Sequence, residues 1–391
     1  MARRIGVLLA GLTCAAVLIS VERAPQRPLA KQPFPDSAEY ADSARSLARG
    51  DGLYTGVHGG SRQPSRYPPG YSMALAPFAA VGSYPHNVQR GARFWAMIYV
   101  LVAVVAAWTL AGPLAGALAA LLIGVSPFAR YSAGLVLAEA FIAALTVLML
   151  PLLKRPANRS ATRLAGTATG IATLARPTAG SNLIALLGAW PRRSYKSMLL
   201  FFLPWLVGLA LLQAAMFGSP LKTGYSYWGV SGHLFSLSYA TSDSTRREGP
   251  FVFPDRLNGQ LLKWVCPCQV GGPQATMANL TFYPLLIAGM FWVFSPPLVP
   301  LLGLLYAWRR RRTAVGRYTL VVTALSLLVF TFYLFQGTRF MAGPATLLTV
   351  LASVWLAELG RRLWRRRDTP PPSPKPRLAD TTRAQLLAMV P

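Results

Sequence analysis

Only 12 side chains in this 391-residue sequence are carboxylates, against 39 lysines and arginines. Asp36, Glu39 and Tyr40 recur at i, i+3 and i+4, so two acids and a phenol share one side of a first helical turn if Ser37 to Arg49 is helical. A carboxylate held there beside a cavity can take a proton from an attacking hydroxyl, the work of a general base. The same spacing fits a capping box, in which Asp36 accepts from backbone N–H groups of its own helix. Glu139 and Arg176 stand in apolar surroundings, where inserting a charge costs about 2.5–3.5 kcal/mol or more. They are candidates for a site, or side chains at interface depth that reach water along their spans. A phosphate-bearing substrate needs cations, and arginine grips phosphate oxygens through paired hydrogen bonds. Arg66 is one of several cations outside the apolar stretches. Arg339 stands out among them, because the hairpin tip that carries it is so short that its side chain must lie at the membrane surface.

The elements that position these residues follow from composition. With 53% hydrophobic and 13% charged residues, the chain carries too much apolar surface for a soluble protein of ordinary make-up. Its apolar residues fall in runs of about 15 to 25, the length that crosses a hydrocarbon core of roughly 30 Å. The net charge of +27 first suggests nucleic acid. The basic residues instead cluster at the ends of apolar runs: Arg3-Arg4, Lys154 to Arg163, Arg192 to Lys196, Arg309 to Arg317 and Arg361 to Arg367. That is the positive-inside pattern, and no nucleic-acid partner is expected. Three cysteines (Cys14, Cys266, Cys268) and three histidines offer neither a disulfide framework nor zinc spacing.

The expected fold is an all-α integral membrane protein, a polytopic helical bundle of about ten transmembrane helices with two large outer loops. Ile5–Val21 reads as a retained first anchor with its amino terminus inside, rather than a cleaved signal. A first outer segment, about 22–92, contains an apolar piece from Tyr71 to Val81 too short to span, which is expected to lie in the interface. Further spans are Phe94–Leu110, Pro113–Pro127 and Gly134–Leu153. Leu164 to Trp190 is broken at Arg176-Pro177 and lies between two inner clusters, so it reads as a hairpin of two short helices with Arg176 near the outer face. Ser197–Phe217 leads to a second outer loop, 218–283. Pro284–Trp308, Tyr318–Phe335 and Met341–Leu359 complete residues 1–360. Residues 361–391 form a basic, Pro-rich tail expected to be disordered in the cytoplasm. The expected location is the plasma (inner) membrane, multi-pass, with both termini cytoplasmic and the chemistry on the outer face.

Four pieces, in order, carry a resemblance. Pro35-Asp36-Ser37-Ala38-Glu39-Tyr40, with Gly50-Asp51-Gly52 beyond it, is followed by Arg66-Tyr67-Pro68-Pro69-Gly70-Tyr71. Leu137-Ala138-Glu139 comes next, with Gly170 to Arg176-Pro177 after it, and Thr338-Arg339-Phe340 opens the last span. In this order the chain resembles the GT-C superfamily of membrane glycosyltransferases that use polyprenyl-phosphate sugars, among them protein O-mannosyltransferases and the lipid A aminoarabinose transferase. The resemblance implies a glycosyltransferase (hexosyl- or pentosyltransferase) that moves a sugar from a polyprenyl-phosphate donor with inversion. It implies Asp36 as catalytic base, with Glu39 beside it. Tyr40, Arg66, Tyr67, Glu139, Arg176 and Arg339 are the substrate-binding candidates, and the outer arginines meet the donor phosphate. The expected partners are the lipid-linked donor, membrane lipids and an acceptor that is a glycan, lipid or protein. No cofactor is implied with certainty, and a divalent metal is possible in such enzymes. The alternative is a transporter or flippase for a lipid-linked or anionic substrate. It calls for paired, repeat-related broken spans, of which this sequence has one.

Overall fold

The computed structural model describes residues 2–32, 35–57, 62–154, 158–224, 280, 282–288, 292–331 and 338–368. Cys266, Cys268, most of the second outer loop and the tail beyond Asp368 lie outside them. The described chain is helical almost throughout. A two-residue antiparallel pair, β1 (Tyr54–Thr55) with β2 (Gln63–Pro64), is the exception.

The helices are α1 (Ala2–Glu22), α2 (Pro35–Ala48), α3 (Pro69–Ala80), α4 (His86–Ala111), α5 (Pro113–Gly124), α6 (Pro127–Gly134), α7 (Glu139–Val147) and α8 (Met149–Lys154). After these come α9 (Arg159–Ala175), α10 (Ser181–Ala189), α11 (Tyr195–Phe217), α12 (Val299–Arg309), α13 (Ala314–Thr331) and α14 (Ala342–Asp368). Several boundaries have visible causes. Proline opens α3, α5 and α6, where its missing N–H is no loss. Gly112 at φ 82° and Gly218 at φ 75° end α4 and α11 in backbone that a side chain rarely adopts. Asn158 caps α9 by accepting from the Ala161 N–H at 2.7 Å.

Among the described residues, five helices are long and apolar enough to cross a membrane, or six if α5 and α6, bent by 62° where they meet, count as one broken span. The remaining legs are shorter, as in α10 with nine residues and α12 with eleven. The run expected as one span from Pro284 to Trp308 is irregular over 292–298 before α12 begins. The final helix, conversely, continues past the expected boundary at residue 361 to Asp368.

Side-chain contacts divide the bundle into two ends. At one end Lys154 Nζ donates to the carbonyl oxygens of Thr109 and Leu110, the last turn of α4. There, too, Arg317 Nη2 reaches Ala189 O at 3.0 Å and Arg310 Nη2 pairs with Glu358 Oε2 at 3.5 Å. Cations thus cover the carbonyl ends of helices, where the helix dipole favours them. At the opposite end Arg93 meets Glu22 at 3.1 Å, Gln89 Nε2 donates to Arg27 O at 2.7 Å, and Trp292 Nε1 donates to Val125 O at 3.1 Å.

Helix α14 is the hub: 89% of its apolar window is buried, against 11% for α11 at the rim. It packs closely on α12 because Gly303 leaves no side chain there; a Cβ would come 1.9 Å from Leu348 O. Two buried tyrosine hydroxyls inside the bundle find polar partners, as lipid-like surroundings favour. Tyr99 Oη meets Thr346 Oγ1 at 3.0 Å, and Tyr318 Oη lies 3.0 Å from both Thr146 O and Asn182 Oδ1.

Candidate active site

Four helix termini converge at the end away from the basic clusters. Asp36 is the second residue of α2, Glu139 the first of α7 and Arg176 the residue that closes α9. Arg339 lies in the short 3-10 turn Thr338–Met341 that leads into α14. Their backbone placement has local reasons. Pro177 follows Arg176 and cannot continue α9, so the chain turns there, with Arg176 in extended backbone (φ −156°, ψ 118°). Gly70, beside the Tyr67-Pro68-Pro69 turn, lets α3 press onto the end of α9; a Cβ there would come 2.4 Å from Ala175 N.

The four charges form one chain of ion pairs. Arg339 Nη1 donates to Asp36 Oδ2 at 2.7 Å and lies 3.4 Å from Glu139 Oε1, while Arg176 Nη2 donates to that same Glu139 oxygen at 2.6 Å. Two acids and two arginines balance to zero net charge. Residue exposure is 4% for Asp36 and Arg339 and 2% for Glu139, so none of these three pairs is a solvated surface bridge. Asp36 Oδ1, Glu139 Oε2 and Tyr71 Oη are also buried, and among the described residues they have no hydrogen-bond partner. Phe340 closes the group from the α14 side, its ring 5.1 Å below the Arg176 guanidinium.

The capping-box alternative does not describe Asp36, whose bonded oxygen goes to Arg339 across the bundle rather than to its own helix. Glu39, fully buried, accepts from Ser65 Oγ at 3.2 Å and from the Arg66 backbone N–H, and lies 3.5 Å from Arg66 Nε. It therefore ties the loop at 65–67 to α2. Tyr40 is buried against Tyr67 and edge-on to Tyr71, each with ring centroids 5.2 Å apart. Arg66 stacks over Tyr67 at 5.6 Å. The predicted residues thus fall in two adjoining groups: the carboxylate–arginine chain, and the Glu39–Arg66–tyrosine support beneath it.

Tyr71 escaped the sequence reading as a site residue. Its signal was its place after Tyr67-Pro68-Pro69-Gly70, which was read as the start of an interfacial helix. It lies fully buried between Tyr40 and Phe141.

Helix termini in a bundle of apolar, membrane-crossing helices thus bring two carboxylates and two arginines together, which defines the class: a polytopic membrane protein with a charged site at one end. The chain has a GT-C-like fold. It aligns with ArnT from Cupriavidus metallidurans bound to undecaprenyl phosphate at a TM-score of 0.54 and 16% identity, over 94% of this chain and 62% of that one. It also aligns with the oligosaccharyltransferase AglB of Archaeoglobus fulgidus in complex with an inhibitory peptide and a dolichol-phosphate, at a TM-score of 0.52 and 12% identity. That match covers 97% of this chain and 54% of AglB; the apo form of the same oligosaccharyltransferase gives 0.54 and 11% identity. The chain therefore spans roughly three fifths or less of the length of these solved structures. No family model matches the sequence, and no curated protein matches it.

Proposed function

We propose that this protein transfers a sugar from a polyprenyl-phosphate donor to an acceptor hydroxyl, at the membrane face opposite the basic clusters. One observation carries the proposal: Asp36, Glu139, Arg176 and Arg339, separated by up to 303 residues, meet in a single chain of ion pairs in which all but Arg176 are buried. A purely structural bundle gains little from burying Asp36, Glu139 and Arg339, because their desolvation offsets most of their attraction. The solved structures that share the fold, with undecaprenyl phosphate and dolichol-phosphate bound, support a donor of that class. The positive-inside distribution supports an outer-face site, about ten crossings and termini on the cytoplasmic side of the inner membrane.

In the proposed step the acceptor oxygen attacks the anomeric carbon from the face opposite the leaving group. The new C–O bond forms as the bond to the phosphate oxygen breaks, which inverts the configuration. The hydroxyl proton passes to Asp36 Oδ1, and polyprenyl phosphate leaves with the bonding electrons. Arg339 and Arg176 hold the phosphate and stabilise its growing charge, as oriented cations do in a water-poor site. Glu139 aims both guanidiniums. We assign Glu39, Tyr40, Arg66 and Tyr67 to binding and positioning, with Glu39 acting through the loop at 65–67.

A divalent ion has no evident seat here. The two carboxylates are already spanned by guanidiniums, and no group of three His, Cys, Asp or Glu side chains gathers among the described residues. The test is Asp36→Asn in the purified full chain, supplied with labelled polyprenyl-phosphate sugars. General bases contribute about 10²–10⁴-fold, so release of label should drop by that much while membrane insertion is kept. Turnover near that of the wild type removes Asp36 from its role.

A further inference from the structure

The proposed transfer step leaves two polar atoms of the site unused. Asp36 Oδ1 takes the proton and Glu139 Oε1 joins the arginines, but Glu139 Oε2 and Tyr71 Oη are buried and have no hydrogen-bond partner among the described residues. The carboxylate oxygen only accepts hydrogen bonds, whereas the phenol can donate one. Burial, and after it the charge of Glu139, push the Tyr71 phenol above its ordinary range, so it keeps its proton and stays a donor.

Packing holds Tyr71 beside the charged chain. Its ring stands between Tyr40, one turn along α2 from Asp36, and Phe141 of α7, two residues beyond Glu139. The same apolar cluster contains Ala138 and Ala175, the residues just before Glu139 and Arg176. Packing alone gives no reason for a phenol here, because phenylalanine fills the same space without a hydroxyl to desolvate.

A donor and an acceptor in one site suit a group that is both, and a hydroxyl is the smallest such group. The arginines decide which hydroxyl. Glu139 Oε2 belongs to the carboxylate whose other oxygen meets Arg176 at 2.6 Å and Arg339 at 3.4 Å, the two cations assigned to the donor phosphate. The carbon bonded to that phosphate is the anomeric one, and the nearest sugar hydroxyl is on the carbon beside it. As the bond to the phosphate breaks, positive charge grows at the anomeric carbon and makes this 2-hydroxyl a stronger donor. A carboxylate facing it then holds the transition state more tightly than the bound substrate.

We propose that Glu139 Oε2 and Tyr71 Oη together hold the 2-hydroxyl of the donor sugar, which donates to the carboxylate and accepts from the phenol. The assignment rests on the transferase function proposed above, and it makes the donor a sugar with a free hydroxyl beside its anomeric carbon.

The test pairs Tyr71→Phe with 2-deoxy donors, using the full chain in lipid nanodiscs. Polyprenyl-phosphate glucose and mannose share one 2-deoxy analogue, and the ribose and arabinose donors share another, so two analogues cover hexosyl and pentosyl transfer. Intrinsic reactivity differs between a donor and its analogue but is the same for both proteins, so comparing the proteins cancels it. Tyr71→Phe should lower kcat on the 2-hydroxy donor by about 2- to 12-fold, the range for one neutral hydrogen bond, and leave the rate on the 2-deoxy donor unchanged. Its thermal unfolding without donor should come no earlier than the parent's, since the hydroxyl removed has no partner there. Equal loss on the two donors overturns the subsite, and earlier unfolding beside it assigns the hydroxyl to the fold. Transfer confined to 2-acetamido sugars overturns it as well. Both results leave the transferase function standing, whereas no transfer from any of these donors sinks that function and the subsite with it.

Discussion

Glu139 is the side chain through which both arginines are joined, and its removal has a calculable cost. Its Oε1 accepts from Arg176 at 2.6 Å and faces Arg339 at 3.4 Å in a place that is 2% exposed. Glu139→Gln keeps an acceptor oxygen and removes the charge. Hydrogen bonds to charged groups are worth about 1.5–3 kcal/mol and neutral ones about 0.5–1.5, so the substitution should cost about 1–3 kcal/mol. Glu139→Ala takes away the acceptor oxygen as well as the charge, leaving buried Arg339 and partly buried Arg176 without it, and the cost rises to about 3–5 kcal/mol. The double variant Glu139→Gln with Arg176→Gln restores neutrality, and should be less destabilised than the sum of its single variants by about 0.5–3 kcal/mol. Reversible unfolding in mixed micelles, followed by circular dichroism, measures the parent, the three single variants Glu139→Gln, Glu139→Ala and Arg176→Gln, and the double variant. A Glu139→Gln variant within about 0.5 kcal/mol of the parent, together with an additive double variant, would refute the claim that these charges form one buried unit.

Three other substitutions separate support from chemistry. Glu39→Gln should lower turnover less than Asp36→Asn does, while raising protease sensitivity of the loop at 65–67; equal loss of turnover in both would place Glu39 at the reacting atoms. Gly70→Ala forces a Cβ to within 2.4 Å of Ala175 N, so thermal unfolding should report a loss of about 1–3 kcal/mol with reduced donor binding. Tyr318→Phe removes the hydroxyl 3.0 Å from Thr146 O and Asn182 Oδ1, and should cost about 0.6–1.7 kcal/mol in the same unfolding assay with the donor KM unchanged.

Local structure at the site was legible because it depends on local signals. The expected helix at Ser37 to Arg49 is α2, Pro35–Ala48, and the apolar piece at Tyr71 to Val81 is α3, Pro69–Ala80. Arg176-Pro177 predicts a break, and α9 ends there, because proline lacks the N–H that another turn needs. Which acid meets which arginine was not legible. Asp36 and Arg339 are 303 residues apart, and only the packing of α2 against the turn before α14 decides their contact. The break between α5 and α6 falls where the expected span Pro113–Pro127 ends; what no local signal gives is the short helix α6 that follows it at 62° to α5. The close approach of α12 to α14 depends on one glycine among 33, whose spacing says nothing about its neighbour. Tyr71 was passed over because an aromatic at the head of a short apolar helix looks like interface, whereas here the aromatic neighbours Tyr40 and Phe141 enclose it.

The signs of the four site charges follow the ends of the helices that carry them, with one exception that bears on function. Asp36 and Glu139 occupy first turns, where the positive end of a helix dipole favours a carboxylate, and Arg176 closes α9, where the negative end favours a cation. Each of those three is at home electrostatically before any partner arrives. Arg339 is not: it precedes the amino end of α14, the end that favours anions, and it depends on Asp36 and Glu139 for compensation. A cation placed against its own helix dipole is a poor choice for stability alone, since an uncharged residue would leave α14 intact at lower cost. The same place suits a phosphate, which is attracted both by the guanidinium and by the amino end of α14. In the proposed reaction a bound phosphate takes over part of the Arg339 interaction and loosens its hold on Asp36 Oδ2. Donor binding and release of the base are then one electrostatic exchange.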